Sequence, residues 1–122
     1  MIQNLKKRCK RLPVFRDLNR LKGEYSMEEL TQHAKDLVEC LGGTAVGIAT
    51  NQTLEGGPPS SDLRYVLPGA RSAIVFGVPL EQGFIEPFLK KEDHDSHALN
   101  NVRTNTLVSG IACEVANFLM QI

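Results

Sequence analysis

A chain of 122 residues with 42% hydrophobic and 23% charged side chains has the composition of a globular domain, or of a piece of a larger one, and not of a disordered segment. No apolar run approaches the roughly 18 residues of a membrane span. The basic N-terminus is followed by neither an apolar stretch nor a small-residue cleavage site, which argues against a secretory signal. The expectation is a cytoplasmic protein with no membrane partner.

The formal charge is zero but unevenly spread. Residues 1–23 hold eight basic side chains against Asp17 alone, so this arm carries +7 and the remainder −7. Pro13 breaks any continuous helix in the arm. A short helix over residues 14–22, ended by Gly23, fits the pattern. The run Lys6, Lys7, Arg8, Lys10, Arg11 could touch nucleic acid, but only Phe15 lies nearby for stacking. Docking of the arm on the acidic body is the favoured reading, because basic runs are common and nonspecific. The arm and residues 24–122 are therefore read as two parts, the second a partial α/β domain.

That domain opens on a strong helix signal. Ser26 and Glu29 make a Ser-x-x-Glu capping box. Met27, Leu30, Ala34, Leu37, Val38 and Leu41 follow on one face, and Gly42-Gly43 supplies the stop. Thr44–Thr50 reads as a strand. Gly47 inside it points to a close neighbour, either another backbone or a ligand. Residues 51–62 are rich in Gly, Pro and Ser and read as a loop, and Pro68-Gly69 marks a turn. Ser72–Val78 is the most strand-like run. It is apolar on both faces, as expected of a strand covered on each side.

Phe84–Lys90 is a short amphipathic segment with Pro87 in its first turn. Residues 90–101 are polar and read as an exposed connection. From Asn101 to Gln121 the pattern is a long helix with apolar positions on both sides, which predicts burial on more than one face. Gly110, with Ser109 and Ala112, permits close approach of another backbone. The whole is of α/β (α+β) class, with few strands and flanking helices. Two strands make a small sheet to stand alone, so the pattern favours a fragment or a chain that completes itself with a partner.

Little in the sequence carries chemistry. Cys9, Cys40 and Cys113 have neither CxxC spacing nor an even count, and read as three free thiols in a reducing compartment. His94 and His97, three residues apart beside Asp93 and Asp95, are candidate metal ligands. The competing reading is a solvated, charged loop, favoured because metal sites draw ligands from a second element. His33 reads as a boundary histidine on the capped helix. The glycine pairs form neither GxGxxG nor a phosphate loop, and no serine lies in a GxSxG context.

Tyr65–Leu80 (YVLPGARSAIVFGVPL) resembles the "lPgARSvIvfg.Pl" segment of the epoxyqueuosine-reductase and reductive-dehalogenase-like iron–sulfur proteins. Leu41–Ala49 (LGGTAVGIA) resembles their first helix-to-strand junction, and Asn105–Met120 the long helix that follows. The likeness covers roughly residues 26–120, in order. It implies part of a nitroreductase-like α/β sandwich, a corrinoid (cobalamin) in full-length relatives, and a ferredoxin-like portion with two 4Fe–4S clusters that would follow as the missing partner. None of the cluster cysteines is present, and the sequence stops before the segment that carries the family's catalytic acid. No catalytic residue is carried over. Gly47 and the loop after Thr50 are the positions the resemblance would place on the cofactor side. The implied function is the N-terminal segment of an iron–sulfur reductase, not competent alone. The alternative is a small assembly module that acts as a homodimer or with a partner subunit.

Overall fold

The computed structural model describes residues 25–121. The basic arm, its proposed helix and its nucleic-acid reading lie outside the described residues. Helix α1 (Met27–Cys40) starts where the capping box predicts. The Glu29 backbone N–H donates to the Ser26 hydroxyl at 3.2 Å, and the Ser26 N–H donates to the Glu29 carboxylate at 2.8 Å. These bonds satisfy donors that the first helical turn leaves without partners. They also hold the Glu29 carboxyl below its ordinary range. At the other end the chain turns through Gly42, whose φ of +113° suits only glycine. The Gly43 N–H then donates to the Val38 carbonyl at 2.9 Å. A Cβ on Gly43 would collide with the Val38 side chain, so this tight exit into the sheet requires glycine.

Strand β1 (Ala45–Thr50) pairs antiparallel with β2 (Ser72–Gly77), from Ala45 opposite Gly77 to Thr50 opposite Ser72. The connection between them contains a 3-10 turn (Pro59–Ser61) and a short helix, α2 (Leu63–Val66). Its base is closed by Asn51, whose side-chain amide donates to the Ala70 carbonyl at 3.1 Å and whose N–H donates to Arg71 at 3.3 Å. After β2 come a 3-10 turn (Gln82–Phe84), the short helix α3 (Ile85–Leu89) and the long helix α4 (Asp95–Met120).

The described chain is thus mixed helix and sheet, with both long helices on one face of the strand pair. Ala34, Leu37 and Val38 of α1 meet Ile111, Val115 and Phe118 of α4 in the core, and Val46, Ile74, Phe76 and Val78 pack against it from the sheet side. The register places Val46 opposite Phe76 on this inner face.

Three expectations are corrected. Helix α4, whose apolar positions on both sides predict burial on more than one face, is buried on one, through Asn100, Ile111, Val115 and Phe118, and its opposite face is exposed. Helix α4 begins at Asp95, within the stretch read as an exposed connection, because the Asp93 carboxylate accepts from the Ser96 N–H at 2.9 Å and organises the first turn. Strand β2 is covered on one face only: Val75, which points away from the helices, is 57% exposed. No helix among the described residues is long and apolar enough to cross a membrane.

Ile111 is 1% exposed at the centre of the α1–α4 contact, so Ile111→Ala should cost about 2–5 kcal/mol. Ser26→Ala should cost about 1 kcal/mol. Urea unfolding of the two variants checks this order; equal losses would displace the helix pair as the main source of stability.

Candidate functional site

Residue alternation puts Ala45, Gly47 and Ala49 of β1 and Ala73, Val75 and Gly77 of β2 on the sheet face opposite the helices. A side chain built on Gly47 or Gly77 would meet no heavy atom within 4 Å. Beyond its pairing with Val75 across the sheet, nothing among the described residues packs where a Gly47 side chain would point. This is a shallow apolar surface flanked, among the described residues, by two strand edges without strand partners.

The loop after Thr50 is built around local bonds. Thr53 donates its hydroxyl to the Thr50 carbonyl at 3.0 Å, and the Thr50 N–H donates back to the Thr53 hydroxyl at 2.8 Å. A groove of about 250 Å³ lies beside it, lined by residues that include Asn51, Glu55, Gly57, Asp62 and Arg64. Two of its charged groups, Asp62 and Arg64, are committed to each other. Asp62 caps α2 through the Arg64 N–H at 2.9 Å and takes two further bonds from the Arg64 guanidinium, at 3.0 and 2.8 Å. Those bonds push the Asp62 carboxyl down to about 2.

The histidine cluster is organised by an aromatic ring. His97 stacks on Phe88 with ring centroids 4.2 Å apart, and His94 tilts against the same ring at 5.7 Å. The Nδ1 atom of His97 is buried without a hydrogen-bond partner. His33 lies tilted on Tyr25 at 5.0 Å, and its Nδ1 is likewise buried and unpartnered. Among the described residues no three His, Cys, Asp or Glu side chains converge to hold a metal ion.

A further groove, of about 340 Å³, lies between the exit of β2 and α4, beside Glu81, Asn100, Arg103 and Thr104. Asn100, 4% exposed, accepts from the Glu81 N–H at 3.0 Å and donates to the Glu81 carbonyl at 3.1 Å. It pairs with backbone as another strand would, fixing the β2 exit against α4. Sequence reading missed this residue because a lone Asn inside a polar run carries no local signal.

The expectation of three free thiols is corrected: Cys40 is disulfide-bonded, while Cys113 is free and exposed. An iron–sulfur cluster needs four protein ligands, usually thiolates; three cysteines, with Cys40 held in a disulfide, do not fit it. No protein-family model, curated protein or solved structure matches the chain.

Two outcomes follow from these placements. His97→Leu should leave urea stability unchanged or raise it, because the substitution removes a buried nitrogen that has no partner. Zinc should not shift the melting temperature; a zinc-dependent rise lost in His97→Leu would restore the metal reading. The second concerns Asp62. A carboxyl lowered from 3.8 to about 2 supports its helix above pH 3.8, and that support is lost as pH falls through about 2. An NMR titration of the Asp62 side chain should place its midpoint near 2 in the native chain and higher in Arg64→Ala, though still below the ordinary aspartate value because the residue-64 N–H bond remains.

Proposed function

We propose that this chain supplies part of the scaffold of an iron–sulfur, corrinoid-dependent reductase of the epoxyqueuosine-reductase and reductive-dehalogenase type, and has no reductase activity alone. One observation carries the reading: the two segments that resemble the family, Leu41–Ala49 and Tyr65–Leu80, form the adjacent strands β1 and β2, and their outer face is left open around Gly47. A nitroreductase-like sandwich would extend this pair with further strands and cover that face. Small side chains there suit close contact with a flat macrocycle such as cobalamin. The 4Fe–4S clusters belong in this reading to a ferredoxin-like portion, because the chain lacks thiolates for them. A cytoplasmic location goes with the reading; the Cys40 disulfide stands against it, since structural disulfides are rare in that compartment.

The second reading is an assembly module that acts as a homodimer or with a partner subunit. The charge-poor outer surface of α4 favours it, since a surface helix ordinarily carries charged residues on its solvent face.

The first reading is tested by anaerobic assay of the purified chain with a low-potential chemical donor, followed by addition of the separately expressed cluster-bearing portion of a reductase from the resembled family. No turnover is expected from the chain alone, and stable association with that portion is expected, weakened by Gly47→Leu. Turnover by the chain alone would refute its role as scaffold. Failure to associate would remove the family reading.

A further inference from the structure

Helix α4 turns one face to the core through Asn100, Ile111, Val115 and Phe118. The opposite face is exposed. On it lie Leu99, Val102, Thr106, Ser109, Cys113 and Ala116, spaced alternately three and four residues apart. This is the a/d repeat of a helix-pairing seam. Leu99 and Val102 are 59% and 61% exposed. The Thr106 hydroxyl donates to the Val102 carbonyl at 2.8 Å. That bond satisfies it within its own helix and leaves the methyl group free for packing. The centre of the seam is small, which allows two helix axes to approach closely.

Charge selects the occupant and its direction. Between Ala98 and Met120 the only charged residues are Arg103 and Glu114. They stand eleven positions apart, or about three turns, and so fall on the same flank of the helix. The ion pairs among the described residues are Asp62–Arg64 and Glu86–Lys90, so neither Arg103 nor Glu114 is paired with a described residue. In an antiparallel two-fold arrangement centred between Leu107 and Val108, Arg103 of each chain stands about two residues, or about 3 Å along the axis, from Glu114 of the partner subunit on the same flank, within reach of its long side chain, and this happens twice. The same symmetry sets Val102 against the partner's Cys113 and Thr106 against the partner's Ser109. In a parallel pair Arg103 would instead stand level with the partner's Arg103.

We propose that the outer face of α4 is a self-association surface on which a second copy of this chain packs its own α4 antiparallel. The proposal rests on the assembly reading and is independent of the reductase reading. It makes the interface isologous, so each contact occurs twice.

Light scattering after size exclusion, at about 100 μM to allow for a modest interface, should give twice the chain mass. Thr106→Glu sits on the exposed face, so it should yield a folded monomer with unchanged helical circular dichroism. Arg103→Glu and Glu114→Arg should each raise the dimer dissociation constant about tenfold, through two lost pairs, and the double reversal should restore it. Under mild oxidation Val102→Cys should form a covalent dimer through Cys113 of the partner subunit. A wild-type monomer at that concentration overturns the proposal and the homodimer form of the assembly reading. A dimer that Thr106→Glu leaves intact overturns the proposal alone, placing the interface elsewhere. Crosslinking of wild-type chains through Cys113 to the partner's Cys113 would overturn the antiparallel direction.

Discussion

The constraint on which the described fold depends is the contact between α1 and α4. The fully buried hydrophobic side chains among the described residues come from these two helices and none from a strand. A two-stranded ribbon by itself is marginal in water. Here β1 and β2 hold their register because Val46, Ile74 and Phe76 rest on a platform already formed by Leu37, Val38, Ile111 and Val115. The sheet is the dependent partner, and its geometry follows from where the helices leave it. The tight Gly42-Gly43 exit sets the start of β1, and the Asn100 pairing with the Glu81 backbone sets the end of β2.

That dependence explains the placement of buried polar groups. Asn100 costs desolvation, which its two hydrogen bonds offset, and it permits one alignment of α4 against the chain leaving β2. The unpartnered Nδ1 atoms of His33 and His97 offer no such return. Both lie where a ring packs on another ring, so the stacking geometry rather than hydrogen bonding determines where the nitrogen points.

What was legible in the sequence was what is encoded locally. The Ser26–Glu29 capping box, the glycine stop and the apolar stripe of α1 from Leu30 to Leu41 lie within a few residues of one another and appear in the structure as read, whereas Met27, at the head of the stripe, is exposed. The start of α4 was not legible. Asp93, His94 and Asp95 look like solvent residues until the Asp93–Ser96 bond turns them into a helix entrance. The open face of β2 was hidden for a different reason. Ala73, Val75 and Gly77 are apolar, and an apolar strand face reads as buried whether or not anything covers it. The grouping of His94 and His97 on Phe88 was illegible because the aromatic that gathers them sits on α3, six and nine residues away.

The titratable groups and the apolar surfaces lead to opposite expectations. Carboxylates with shifted affinities mark catalytic sites when their perturbers are burial and a second charge across a cleft. Here Glu29, Asp62 and Asp93 are shifted by hydrogen bonds from residues two or three positions away, which is the signature of local capping. Their acid–base capacity is already committed to holding helix ends. The outer face of the sheet and the outer face of α4, by contrast, carry apolar and small residues that nothing among the described residues uses. Monomeric proteins expose scattered apolar residues freely but rarely align them along a helix opposite its core. The arrangement therefore points to contact with protein as the property to pursue, with α4 ahead of the sheet because it alone adds paired charges that would choose a direction.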